Sequence, residues 1–329
     1  MLSIAVIGAG RIGQIHARNV AANPRARLAG IADLDADAAA RLAQECGSQV
    51  VSLQAAFEAD AVMICSSTST HAGLIERAAA ARRPVFCEKP IDLSAPRVRL
   101  CLMDVRRARS PLMVGFNRRF DPSFSALKRR LDAGEIGRLE LLTIISRDPA
   151  PPPPAYIAGS GGIFRDMMIH DLDMARFLLG EEPVEVFAAA SVLVDPAIGT
   201  AGDVATAVVT LRTASGKLCQ ISNSRRATYG YDQRIEAHGS AGLLRAGNVT
   251  ATTVELATGA GFTSDPALPF FLERYAAAYR AELDAFIDAV ANSTPPHPDG
   301  EDGLRALLLA DAATESARTH QPVTPSGDI

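Results

Sequence analysis

Three groups of residues in this sequence have the types and spacing to do chemistry. The first is Lys89, in Glu88-Lys89-Pro90 directly after the apolar run Pro84-Val85-Phe86-Cys87. Of the 33 basic side chains only Lys89, Lys128 and Lys217 are lysines. A lysine kept against so strong a preference for arginine is a candidate for work that a broad guanidinium does poorly, such as setting a compact ammonium beside a reacting oxygen. Lys128 falls among charged neighbours on a helical stretch and Lys217 follows Ser215-Gly216 in a hairpin turn. Lys89 is therefore the chemical candidate.

The second group is Asp166, His170 and Asp173, in a stretch read as one helix from Asp166 to Leu179. At about 100 degrees per residue the three fall within roughly 60 degrees of one another, opposite Met168, Leu172, Ala175 and Leu179. Asp166 and His170, at i and i+4, can share one ligand, and the carboxylate can orient the imidazole for proton transfer. The third group is Gly8-Ala9-Gly10-Arg11-Ile12-Gly13, a GxGxxG run that follows an apolar strand and opens a helix. In that context Gly8 permits a tight turn, Gly10 lets a pyrophosphate reach the backbone, and Gly13 allows close helix-strand packing. The phosphates then face a helix N-terminus. Asp33, twenty residues after Gly13, ends the next strand, where a carboxylate accepts from a ribose 2′-hydroxyl and repels a 2′-phosphate. NAD is thus expected over NADP. Together with a nicotinamide site, Lys89 and His170 point to hydride transfer with general acid-base assistance, which needs no metal.

The elements that must position these groups alternate in type. Apolar runs at Ser3–Ile7, Arg27–Ala32, Gln49–Ser52, Ala61–Cys65, Pro84–Cys87 and Leu112–Phe116 are separated by helical patterns at Arg11–Ala22, Ala36–Glu45, Thr70–Ala80 and Ala95–Arg107, the signature of a parallel sheet covered on both faces. Residues at the carboxyl ends of such strands line the ligand crevice. A helix should begin at Asp121-Pro122 and stop at Gly134. Beyond residue 139 strands are expected at Glu140–Ser146, Val184–Val194, Ala205–Arg212, Leu218–Ser222, Gln233–His238 and Thr253–Ala257, largely antiparallel, with two closing helices at Phe270–Ala291 and Gly300–Thr319. The expected fold is α/β: a Rossmann dinucleotide-binding domain at 1–120, then an α/β domain at 121–329 with a largely antiparallel, open-faced sheet. Both alternating sets of Val184–Val194 are apolar, so the strand should be covered on both faces, one by helices of its own domain and the other by a long loop or, the favoured reading, a second subunit. Pro149–Pro154 reads as an extended segment.

Composition narrows the partners. The chain has 329 residues, long enough for two domains, and a net charge of −4 that gives no basic field for nucleic acid. No run approaches about 18 apolar residues, and the start enters a strand without a signal sequence, so a cytoplasmic protein is expected rather than a membrane or exported one. Cys46, Cys65, Cys87, Cys101 and Cys219 show no metal-ligand spacing and read as free thiols.

The segments GAGRIG, CEKP, GFNRRFDP and GGIFRDMMIHDLDMARFLLG resemble the Gfo/Idh/MocA oxidoreductases over nearly the whole chain. SRRATYGYDQRIEAHGS, from Ser224 to Ser240, and FFLERYAAAYRAELDAFIDAV are similar to the inositol 2-dehydrogenases within that family. The resemblance implies a catalytic set of Lys89, Asp166 and His170. It implies cofactor contacts from Gly8, Gly10, Arg11, Ile12, Gly13, Asp33, Ser66, Ser67, His71, Glu88, Lys89 and Asn117. It also implies polyol contacts from Lys89, Arg118, Asp166, His170 and Tyr229 or Tyr231, and a homotetramer closed by the open sheet. Ala205 and Ser69 depart from the acidic residues expected there. The reaction implied is NAD-dependent oxidation of a cyclitol hydroxyl, myo-inositol first, with the rate rising with pH as His170 becomes neutral. Scyllo-inositol, D-chiro-inositol or a pyranose would keep the chemistry, whereas a non-catalytic NAD-dependent sugar sensor would not need all three catalytic side chains.

Overall fold

The computed structural model describes residues 1–325. They divide into two units: Met1–Asn117 with Ala278–Leu307, and Arg118–Ala277 with the described residues from Leu308 onward.

The first unit opens with β1 (Leu2–Ile7), α1 (Arg11–Ala22), β2 (Ala26–Ala32), α2 (Ala36–Glu45), α3 (Leu53–Ala56), β3 (Ala61–Ile64), α4 (Thr68–Ala80), β4 (Val85–Cys87), α5 (Ala95–Ala108) and β5 (Leu112–Val114). The strands pair in parallel in the order β2-β1-β3-β4-β5. Ile4, Val6, Val62, Met63, Phe86 and Met113 are fully buried, as the continuous apolar runs require of strands covered on both faces. The strand expected at Gln49–Ser52 is reduced to one bridge between Val50 and Ile31. Ser52 instead turns the chain into α3, its hydroxyl accepting the Ala55 N–H at 3.1 Å.

The second unit contains α6 (Pro122–Asp132), β6 (Leu139–Arg147), α7 (Pro154–Ser160), α8 (Gly162–Asp166), α9 (Ile169–Leu179), β7 (Pro183–Ser191), α10 (Pro196–Thr200), β8 (Thr206–Thr213), β9 (Leu218–Ser224), β10 (Asp232–Gly239) and β11 (Gly242–Ala246). The Asp121 carboxylate caps α6 by accepting from Ser123 and Phe124, and Gly134 ends that turn at φ 72°. The sheet order is β11-β10-β6-β9-β8-β7, antiparallel apart from the β6–β9 pair. One face buries Leu142, Ile144, Val209, Ile221 and Ile235, while Leu141, Phe187, Val208, Leu218 and Leu243 are exposed on the other. The alternation expected through Val184 is broken by a bulge between Pro183 and Glu185. Val184 is consequently exposed, whereas Val186 and Ala188 are buried. A hairpin of β12 (Glu255–Thr258) and β13 (Gly261–Ser264) follows.

The sequence expectation assigns all of 121–329 to the second domain, but the chain returns to the first unit within its closing helices. α11 (Phe271–Arg274) is separated at Tyr275 from α12 (Ala276–Asn292), and α13 (Gly300–Thr319) ends the described helices. Phe286 packs edge-on against Phe86 at 5.9 Å between centroids, Tyr279 against His16 at 5.6 Å, and Asn23 donates to Asp284 at 2.8 Å. Gly303 lies where a Cβ would be 3.2 Å from Ile91. These side chains cover the β4 region of the parallel sheet, which explains why Ala278–Leu307 belongs to the first unit.

Candidate active site

The Gly-rich turn in the first unit has the shape that a dinucleotide needs. Gly8 has φ +110°, and a Cβ there would lie 2.5 Å from the Cys65 carbonyl; at Gly13 one would lie 1.9 Å from the Gly8 oxygen. Gly10 is different, because a Cβ there would meet no protein atom within 4 Å. Glycine at this position leaves room for something outside the protein. Gly10 is also the N-cap of α1 and makes no side-chain cap bond, so the first-turn N–H groups are oriented for an anion. Arg11 and Ile12 form the first turn, with Arg11 exposed. Asp33, at the end of β2, is exposed and already helps to shape the turn: one oxygen accepts the Ala9 N–H at 2.5 Å and the other the Asp35 N–H at 2.8 Å. The residues present therefore fit a pyrophosphate over Gly10 and a ribose hydroxyl on Asp33.

The other first-unit candidates gather at the ends of β3 and β4. Ser66 and Ser67 lead into α4, and the Ser66 hydroxyl lies 2.6 Å from that of Thr70. His71 is buried and points inward, with Nδ1 2.8 Å from the Pro90 carbonyl and Nε2 2.9 Å from the Ser66 carbonyl. Its ring holds two loops together. Glu88 is likewise buried, its Oε1 2.8 Å from His16 Nε2 and its Oε2 3.3 Å from the Lys89 N–H. Lys89 is half-buried at the strand end and Asn117 is buried. Lys128 pairs with Asp132 and Lys217 donates to the Leu179 carbonyl at 2.7 Å, so both serve local structure.

In the second unit the helix expected from Asp166 to Leu179 is interrupted. The Met168 N–H reaches back five residues to the Ile163 carbonyl at 2.8 Å, inserting a wider turn between α8 and α9. Asp166 and His170 are thus on different helices, and the uniform 100-degree rotation does not relate them. Asp166 accepts from the Tyr156 hydroxyl at 2.9 Å, with Arg225 at 4.0 Å, and His170 is half-buried. Asp173 does not join their face: it is buried and receives Arg119 at 2.5 Å, with Arg176 at 3.7 Å. Its carboxylate is neutralised by two arginines in the packed interior.

Two acids beside Arg118 escaped the sequence reading. Asp171 is fully buried, its oxygens taking Arg118 Nη1 at 2.5 Å and Asn223 Nδ2 at 2.9 Å. Burial pushes its carboxyl up, and the Arg118 charge only partly offsets this. Burial, the largest influence, works against the Arg118 charge, but Asp171 together with Tyr275, Tyr231 and Asp148 outweighs it and holds the guanidinium above its ordinary range. Arg118 also donates to Ser146 at 3.2 Å and lies over the Tyr275 ring. Asp148, at the end of β6, is pushed up to about 6 by burial, against the pull of Arg118 and Arg225 and with the repulsion of Asp166 and Asp171. Its one sequence signal is position: an acid at a strand end directly before the proline run.

Of the two tyrosines, Tyr231 is buried edge-on to Tyr275 at 5.9 Å, and burial raises its hydroxyl's pKa well above the usual range, with Arg118 opposing. Tyr229 is half-exposed; its hydroxyl accepts from Arg147 at 2.9 Å and donates to Asp232 at 2.7 Å. Ala205 is packed among Ile157 and Ile198, an apolar setting in which an acid would be costly.

A parallel nucleotide-binding sheet with an open Gly10 cradle, an acid at the end of β2 and a strand-end lysine define the class of protein, a nicotinamide-dependent oxidoreductase. The chain belongs to the Gfo/Idh/MocA oxidoreductases. Residues 2–116 match the oxidoreductase family with NAD-binding Rossmann fold and residues 124–245 the GFO/IDH/MocA C-terminal domain. It is 54% identical over 322 residues to an inositol 2-dehydrogenase of Rhizobium meliloti (strain 1021), covering 97% of this chain and 98% of that one. The crystal structure of a myo-inositol dehydrogenase from Corynebacterium glutamicum superposes with TM-score 0.95 at 49% identity, over 99% of both chains. A scyllo-inositol dehydrogenase from Lactobacillus casei, solved with bound NAD(H) and scyllo-inositol, superposes with TM-score 0.92 at 29% identity, over 99% of this chain and 100% of that one.

Proposed function

We propose that this protein oxidises one secondary hydroxyl of myo-inositol to the ketone, 2-keto-myo-inositol, with NAD. The observation that carries the substrate is the 54% identity, over 97% of the chain, to an inositol 2-dehydrogenase. Bound NAD supplies the hydride-accepting nicotinamide. Gly8, Gly10, Arg11, Ile12 and Gly13 hold its pyrophosphate, Asp33 the ribose, and Ser66, Ser67 and Asn117 line the same cleft. His71 and Glu88 belong to this site through the loops they hold rather than by touching the cofactor.

Neutral His170 removes the proton of the reacting hydroxyl, with Asp166 orienting the imidazole. The Lys89 ammonium stabilises the developing alkoxide. Arg118 fixes Asp171 and keeps a positive charge near the polyol site. Asp148, half-buried and flanked by charge, accepts from the polyol ring, and Tyr231 is favoured over Tyr229 as a wall because the Tyr229 hydroxyl is already committed to Asp232. The scyllo-inositol dehydrogenase among the similar structures makes scyllo-inositol the second reading.

The exposed apolar face carrying Leu141, Phe187, Val208, Leu218 and Leu243 is assigned to contacts between copies of this chain in a homotetramer. No helix among the described residues is long and apolar enough to cross a membrane, and a cytoplasmic location is proposed.

The test is NADH formation at 340 nm with myo-inositol, scyllo-inositol, D-chiro-inositol and glucose, each with NAD+ and NADP+. Turnover of myo-inositol with NAD+ and its loss in Lys89→Ala, with NADH binding retained, is the expected result. Silence on all four substrates would instead favour a sugar sensor. Light scattering at micromolar protein should give four times the 34.7 kDa chain mass.

A further inference from the structure

Lys89 is anchored by its backbone on both sides. On one side its N–H is 3.3 Å from Glu88 Oε2, while Glu88 Oε1 is taken by Nε2 of His16, on the helix that opens at the phosphate turn. On the other side the carbonyl of the next residue, Pro90, meets Nδ1 of His71, whose Nε2 meets the Ser66 carbonyl. His16 and His71 are both buried, so neither imidazole is aimed at solvent. The Glu88 carboxylate is confined: a Cβ on Gly115 would come within 3.1 Å of all three of its terminal atoms. The His16 ring is set between Phe86 and Tyr279, at 4.9 and 5.6 Å between centroids. Glu282 is fully buried, and its electrostatic neighbour is Glu88.

From this geometry we infer that His16, through Glu88, and His71, through Pro90, are positioning residues that fix the Lys89 backbone for hydride transfer. The inference rests on Lys89 acting at the reacting oxygen. Removing the His16 partner leaves the buried Glu88 carboxylate without its imidazole, so it turns away or takes up a proton; the first removes the acceptor of the Lys89 N–H and the second weakens it, because a neutral carboxyl accepts less strongly than a carboxylate. A displacement of the ammonium by about 1 Å is enough to cost on the order of 100-fold in rate.

The experiment compares His16→Leu, His16→Gln and Gly115→Ala with wild type, measuring kcat with myo-inositol, KM for NAD+, NADH binding by fluorescence, and the deuterium isotope effect on kcat with C2-deuterated myo-inositol. His16→Leu should lower kcat by roughly 10- to 100-fold and raise the isotope effect, with NADH affinity held within about threefold. His16→Gln, whose amide N–H can replace Nε2–H, should recover most of the loss. Gly115→Ala, whose Cβ would crowd all three terminal atoms of the Glu88 carboxylate, should reproduce it, so the result does not depend on one variant folding well. Unchanged kcat in both His16→Leu and Gly115→Ala, with Lys89→Ala inactive, would overturn the inference alone. Wild-type turnover by Lys89→Ala, or a wild type silent on the cyclitol panel, would overturn the reading of Lys89 and with it this inference.

Discussion

Glu282 offers a quantitative check on the interior of the first unit. It is fully buried, and neither carboxyl oxygen has a hydrogen-bond partner among the described residues. Burial first, and the charge of Glu88 second, raise its pKa well above the ordinary 4.5. The folded protein therefore keeps a proton there that the unfolded chain releases once the pH exceeds 4.5. The sign follows from linkage: stability is fully present below 4.5, falls as pH rises towards the folded value, and levels off above it. Within that window each pH unit removes about 1.4 kcal/mol. Glu282→Gln keeps the shape and has no proton to lose. Thermal melts of both proteins from pH 5 to 8 should thus diverge in favour of the variant, by roughly 2–5 °C for each pH unit inside the window. Parallel melting curves across that range, or a variant that falls behind as pH rises, would refute the neutral buried carboxyl.

Other substitutions separate the remaining assignments. Asp171→Ala strands the buried Arg118 guanidinium and should destabilise the protein by about 3–5 kcal/mol in urea unfolding, because an uncompensated interior charge remains. Asp148→Asn should raise KM for the polyol by about tenfold while leaving NADH binding unchanged, the size expected for a hydrogen bond to a charged acceptor; a change confined to NADH binding would remove Asp148 from the polyol site. Asp33→Ala should raise KM for NAD+ by about tenfold and narrow the preference over NADP+, since it deletes both the ribose acceptor and the acceptor of the Ala9 N–H. Equal loss with both cofactors would mean that Asp33 acts only on the turn.

Local chemistry carried much of the fold into plain view. Asp121-Pro122 could be read as a helix start because capping and a fixed φ involve only neighbouring residues. Gly8, Gly10 and Gly13 are informative because they stand between an apolar strand and a helix, and Asp33 follows at the distance one strand-helix-strand passage sets. Where short-range signals competed, long-range packing decided. Gln49–Ser52 looks like a strand until Ser52 caps α3, and Val184 looks inward until the bulge at Pro183 turns it out.

The sequence by itself determined the parallel nucleotide-binding sheet, the Gly-rich turn and the strand-end placement of Lys89, since each depends on periodicity or spacing along a short stretch, whereas the break between α8 and α9 that separates Asp166 from His170 came only with the structure. Only the tertiary structure decided which acids are buried and with whom. The sequence makes Asp173 look like a partner of His170, yet Arg119, fifty-four residues earlier, claims it. Asp171 and Arg118 meet across fifty-three residues, and His16 and Glu88 across seventy-two. The return of Ala278–Leu307 to the first unit has the same origin. A charge or an aromatic ring is satisfied by whatever the fold brings within a few ångströms, and no periodicity along the chain encodes that neighbour.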